Sequence, residues 1–242
     1  MEDLYDVLAD HYDLMQEEID PEELGSLINS LVEKHLKTEE KGRSLVDLGC
    51  GSGSVTAVLA EKYGYDATGI DRSDEMLMEA SAKSSKVMWV NQDITDYELP
   101  GMADVFISTT NTMNHITDRS LFGKILKSFE TYMLRGGLFI FDVGTEEHFT
   151  KTLADNVFYE DYDDMTMLWT NSYDEKEKLS TAEITVFYTE DGENYKRTDG
   201  ELYERFYPED EIKKMAEQYG LEFVEGMISD DRQREYIVLR RK

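Results

Sequence analysis

A single cysteine, Cys50, stands in 242 residues, so neither an internal disulfide framework nor a cysteine-based metal cluster is available. Positive charge is scarce too. Lys and Arg number 25 against 53 Asp and Glu, a formal net charge of −28. That balance argues against a nucleic-acid partner, because phosphate binding relies on local cations to displace condensed counterions. The basic residues Arg232, Arg234, Arg240, Arg241 and Lys242 read as the solvated flanks of a strand. No run approaches the ~18 to 20 apolar residues of a spanning helix. The start, Met1-Glu2-Asp3-Leu4-Tyr5, lacks the positive segment and apolar run of a signal peptide. A cytoplasmic protein without a membrane partner is the expectation. Internal repeats and low-complexity tracts are missing as well. What is present excludes disorder: 40% of residues are hydrophobic, with 15 Tyr and 10 Phe.

The first forty residues have a helical period. Asp20-Pro21-Glu22-Glu23 offers a cap, a proline for the first turn and acids near the positive helix end. Leu24, Leu27, Ile28, Leu31, Val32 and Leu36 then form a core-facing stripe, with His35 beside it on the surface. From Arg43 strands and helices alternate. Strands are expected at 44–48, 66–70, 87–90, 103–108 and 138–143. Helices are expected at 55–63, after Ser73, and from Asp118 or Ser120 to Gly136-Gly137. Such units imply a parallel sheet covered on both faces, with ligands outside the carboxyl ends of the strands. After Thr145 the period changes to two. Three antiparallel strands are expected at 165–173, 179–189 and 195–206, followed by a helix at 208–219 and strands at 221–226 and 235–239.

The strongest local signal is Val46-Asp47-Leu48-Gly49-Cys50-Gly51-Ser52-Gly53-Ser54, a glycine loop between a strand and a helix. Ser54 stands where the third glycine of a dinucleotide fingerprint belongs, which disfavours a nicotinamide dehydrogenase. No Gly-Lys-Ser/Thr follows, so a P-loop is excluded. Asp71, followed by Arg72, ends the second strand, where a carboxylate can accept both hydroxyls of a ribose. After the third strand, Asp93 can accept from an exocyclic amine while Ile94 packs on a purine face.

These residues resemble the class I S-adenosylmethionine-dependent methyltransferase family. Asp47 through Gly53 match its first motif, Asp71 its ribose-binding acid, and Asp93-Ile94 its adenine pair. Leu134-Arg135-Gly136-Gly137 is similar to its late turn, with Arg135 where Pro is usual. A looser likeness, to small-molecule methyltransferases related to the deoxyaminosugar N-methyltransferases, rests on Tyr5-Asp6, Tyr12-Asp13 and Arg205-Phe206-Tyr207-Pro208. It implies that Tyr5 and Tyr12 close over the methionyl end of the cofactor. The resemblance also implies the fold: a Rossmann-like seven-stranded sheet with helices on both faces, plus an antiparallel β insertion after the fifth strand. The domains would be a helical cap at 1–40, a cofactor-binding core at 41–145 and 206–242, and the insertion at 146–205 over the acceptor site.

The implied cofactor is S-adenosyl-L-methionine, with no metal and with S-adenosyl-L-homocysteine as product. Methyl transfer is an in-line displacement needing alignment and exclusion of water rather than a covalent enzyme intermediate. Cys50 is then a small filler in its loop. Thr109 and Asn111, after the fourth strand, are candidates for the cofactor's amino-acid end, and His115 for a base toward the acceptor. Tyr162 and Tyr207 are candidates for the acceptor pocket. The acidic segment 159–164 would suit a cationic acceptor. A small-molecule N or O acceptor is expected. The rivals are an RNA or protein methyltransferase on the same core and a non-catalytic cofactor-binding regulator.

Overall fold

The first helix, α1 (Pro21–His35), starts where Asp20 accepts a hydrogen bond from the amide of Glu22 at 2.8 Å. The structure, a computed structural model, describes residues 19–38, 43–189 and 191–242. Leu24, Ile28, Leu31 and Val32 turn inward from α1 as their spacing requires. His35 departs from the surface role expected of it. Its Nε2 lies 2.6 Å from Glu225, so the helix end is tied to a strand of the core.

The core then alternates β1 (Ser44–Leu48), α2 (Ser54–Tyr63), β2 (Asp66–Asp71), α3 (Asp74–Lys83), β3 (Met88–Asn91) and β4 (Ala103–Ser108). A 3-10 turn at Thr112–His115 leads to α4 (Arg119–Tyr132) and β5 (Met133–Gly144). A π-helix (His148–Leu153) opens the insertion, followed by β6 (Val157–Asp161), β7 (Met165–Asp174), β8 (Leu179–Tyr188) and β9 (Lys196–Arg205). The chain closes with α5 (Glu209–Gln218), β10 (Leu221–Ile228) and β11 (Arg234–Arg241). Seven strands form one sheet in the order β10-β11-β5-β4-β1-β2-β3, with β11 antiparallel to both neighbours.

Both faces of this sheet are covered, which is why its central strands are apolar without interruption. In β4 and β5, Val105, Ile107, Leu138 and Ile140 pack toward α1 and α2. Their alternates Phe106, Phe139 and Phe141 pack toward α4 and α5, with Phe122, Phe129 and Ile212. The order of strands reverses between β1 and β4, so their carboxyl ends open a crevice for a ligand.

Two boundaries differ from the sequence expectation. The fourth helix ends at Tyr132, and Gly136-Gly137 lie inside β5. There Met133 still pairs with Ala103 while Leu138 pairs with Val105, so the glycines occupy an irregularity in the ladder. A Cβ on Gly137 would stand 2.7 Å from the Asp104 carbonyl, and only glycine fits. The insertion has four antiparallel strands in the order β6-β7-β8-β9 rather than three. The added strand, β6, carries the acids that made it read as a turn. Among the described residues no helix is long and apolar enough to cross a membrane.

Candidate functional site

A cavity of about 440 Å³ opens at the carboxyl edge of the sheet, a volume in the range of small-ligand sites. One wall is the glycine loop. Gly49 and Cys50 both donate to the carbonyl of Ile70, at 2.8 and 3.0 Å, which folds the loop back over β2. Gly49 has φ +77°, and a Cβ there would meet the Thr112 methyl at 2.4 Å. Any side chain at this position would be both strained and blocked. Gly53 caps α2 in the left-handed region, against the Trp89 ring.

Asp71 is the hinge of this wall. Its Oδ2 accepts from the amide of Gly51 at 2.8 Å and its Oδ1 from the amide of Ser73 at 3.0 Å. Each carboxylate oxygen carries a second lone pair, which the cavity can use. Arg72 lines the cavity beside it. Asp93 and Ile94 line the next part. There one oxygen of Asp93 accepts from both the amide and the hydroxyl of Thr95, at 2.7 Å each, leaving the other for a donor.

Asp47 lies beneath the loop, fully buried, with one oxygen taking the Thr56 hydroxyl and the other without a partner among the described residues. Burial pushes its carboxyl up to about 7, against the Thr56 hydrogen bond and with the charge of Asp71 assisting. The folded protein therefore keeps a proton that the unfolded chain releases near ~3.9. Because its folded value is raised, the favourable contribution is full below that point and lost as pH rises through about 7. Asp47→Asn abolishes this titration. Urea unfolding of the cofactor-free protein should show the variant gaining about 2–3 kcal/mol on wild type between pH 5 and pH 8. Parallel curves for the two proteins would contradict the buried proton. Burial and the charges of Asp47 and Asp71 also push the Cys50 thiol up, so it is no thiolate nucleophile.

The opposite wall follows β4. Thr110 and Asn111 both sit at positive φ, 58° and 61°, unusual for any residue and more so for a β-branched one. Asp142 of β5 holds them there, accepting from the Asn111 amide at 3.3 and 3.4 Å. Burial raises the Asp142 carboxyl to about 6, with Arg234 opposing. The side-chain oxygen of Asn111 is buried without a partner among the described residues, and Thr109 is buried next to it. His115 ends the 3-10 turn and reaches the cavity. The preceding Asn114 is wholly buried. Its amide donates to the Arg205 carbonyl at 2.7 Å and accepts from the Gly144 amide at 3.0 Å, binding both ends of the insertion to the turn.

The insertion supplies the roof through Glu201, Leu202 and Tyr203 of β9. This corrects the sequence reading of the acceptor side. Tyr207 is fully buried, packs tilted against the Phe122 ring and donates its hydroxyl to the Ile116 carbonyl, so it supports the wall from behind. Tyr162 donates to Glu160 at 2.5 Å, packs on the insertion's own core and does not line the cavity. The acidic stretch 159–164 belongs to β6 and its turn into β7, away from the opening. The sequence located β9 at 195–206 and the insertion over the acceptor, but it did not single out Glu201, Leu202 and Tyr203 as the residues lining the cavity. Tyr5 and Tyr12 lie outside the described residues.

A methyltransferase-domain profile matches residues 45–137, the stretch that carries the glycine loop, Asp71 and Asp93. The YqeM protein of Bacillus subtilis (strain 168), which bears a methyltransferase name, is 29% identical over 187 residues, 76% of this chain and 74% of its own. A solved S-adenosylmethionine-dependent methyltransferase from Clostridium acetobutylicum ATCC 824 is 26% identical and covers 99% of both chains with a TM-score of 0.82. The sugar N-methyltransferase KedS8 from Streptoalloteichus sp ATCC 53650 shares the fold at 18% identity, with a TM-score of 0.75 over 96% of this chain and 93% of its own. Sheet order, domain match and relatives converge on an S-adenosylmethionine-dependent methyltransferase, with a methyltransferase domain at 45–137 set in the class I methyltransferase fold.

Proposed function

We propose that the enzyme methylates a small molecule, at an amine nitrogen in preference to an oxygen. The observation that carries this reading is the charge of the cavity. With Asp71 and Asp93 given to the cofactor, Asp118 and Glu201 remain on the acceptor side, and Arg72 is the one Lys or Arg among the described lining residues, an environment that favours an ammonium over an acidic metabolite. A fold shared with a sugar N-methyltransferase agrees with that preference.

The cofactor site is assigned residue by residue. Asp71 would hold the ribose hydroxyls, and Asp93 with Ile94 the adenine. The backbone of Gly49, Cys50, Gly51 and Gly53 would lie against the nucleoside, with Arg72 at its edge. Asp47, Thr109 and Asn111 would serve the amino-acid end. The buried oxygens of Asp47 and Asn111 that lack a partner among the described residues suit an ammonium donor and support this fit. Bound S-adenosylmethionine supplies an activated methyl on a sulfonium, and the proposed chemistry calls on no metal. The protein's part is to fix the acceptor in line with that methyl, to exclude water beneath β9, and to take a proton from the acceptor at His115. The cap 1–40, the core 41–145 with 206–242, and the roof 146–205 remain the proposed division of labour, with Tyr5 and Tyr12 closing the cap.

Purified enzyme with S-adenosylmethionine should release S-adenosylhomocysteine when offered D-glucosamine, ethanolamine or butylamine. It should release at least tenfold less with glucose, ethylene glycol or butanol. Equal turnover of the hydroxy compounds would refute the amine preference. Methyl transfer only to RNA or protein would refute the small-molecule reading.

A further inference from the structure

The acceptor side carries a further carboxylate that none of the sequence motifs indicates. Glu204 follows the three roof residues of β9 and, by strand alternation, shares a face with Leu202, which lines the cavity. Its Oε1 lies 3.8 Å from Nε2 of His115, and the two side chains are only 20% and 32% exposed. The pair is held by its neighbours. Asn114, one residue before His115, donates to the carbonyl of Arg205, one residue after Glu204. This half-buried bond ties together the two backbone segments that carry the side chains, which distinguishes the pair from a surface ion pair free to drift.

We propose that Glu204 and His115 form a proton-accepting pair for the amine, with Glu204 as a positioning residue that acts through the imidazole. This rests on the amine reading above. An ammonium acceptor gives one N–H proton to a ring nitrogen of His115, and the freed lone pair forms the new N–C bond. The methyl carbon's bond to sulfur breaks, and its electron pair stays on the neutral sulfide. Glu204 balances the imidazolium charge at the moment it forms, the service that a third group gives to a catalytic base. Other charged groups stand close by. Asp118 lies on the cavity wall and Arg205 beside Glu204 in the strand. His148 on the π-helix feels the field of Glu204 as well as those of Arg234 and Asp231, yet burial lowers its proton affinity.

The test has two arms. In the first, NMR follows the ring signals of the four histidines of the full chain at one fixed pH. The His115 ring signals should shift in Glu204→Gln, whereas Glu204→Asp should keep them near their wild-type positions. In the second, Glu204→Gln should bind S-adenosylhomocysteine as wild type does, while kcat for the best amine of the panel falls at least tenfold and Glu204→Asp recovers part of it. Unmoved His115 ring signals, or an unchanged kcat, overturn the pairing. If wild type methylates none of the amines, the amine reading falls, and the NMR arm still decides whether Glu204 governs His115.

Discussion

Alanine at position 71 should raise the dissociation constant for S-adenosylhomocysteine at least tenfold in calorimetry. The side chain has two duties in the structure. Through Oδ2 it tethers the Gly51 amide, and through Oδ1 it tethers the Ser73 amide, so it sets the shape of the glycine loop and the entry to α3. Its remaining lone pairs are the proposed acceptors for two ribose hydroxyls. Hydrogen bonds to a charged acceptor contribute about 1.5–3 kcal/mol each, so losing even one exceeds the ~1.4 kcal/mol that a tenfold change requires. Asp71→Asn keeps one oxygen and should fall between the two. Affinity equal to wild type in the alanine variant would remove Asp71 from the site.

Asn114→Ala should give the largest loss of stability of any polar substitution near the cavity. It strands the buried Gly144 amide and the Arg205 carbonyl at once, and each buried group left unpaired costs about 1–3 kcal/mol. A loss of about 2–4 kcal/mol in urea unfolding is expected, corresponding to about 6–12 °C in Tm for a chain of this size. A change below about 0.5 kcal/mol, the ordinary range for a surface site, would mean that the insertion is held by other contacts.

Local signals were the most legible part of this chain. Asp20, Ser73 and Asp118 each cap the helix that their position announced, with side-chain bonds to Glu22, Met76 and Ser120. The glycine loop and the acids at 71 and 93 were legible because a turn at a strand end restricts residue type locally. The roof was not. Period two establishes that β9 is a strand, and it carries no information on which face meets the core or which strand adds at the edge. Hence Tyr162 and Tyr207, aromatic and near the insertion's ends, read as pocket residues, while Glu201, Leu202 and Tyr203 passed as ordinary strand. Asn114 was invisible for a similar reason. Its partners are 30 and 91 positions away, and no spacing rule reaches them.

Asn114 meets the departing end of β5 and the returning end of β9, so the sixty-residue excursion leaves and re-enters the core within the span of one amide side chain. For the seven-stranded sheet, such an excursion is topologically no more than a short loop. The entropy of closing it is charged to the roof's own pairing rather than to the parent ladder. Roofs of different length and lining can therefore be exchanged at this doorway without disturbing the register beneath, which leaves acceptor choice free to diverge while the nucleoside grip stays constant.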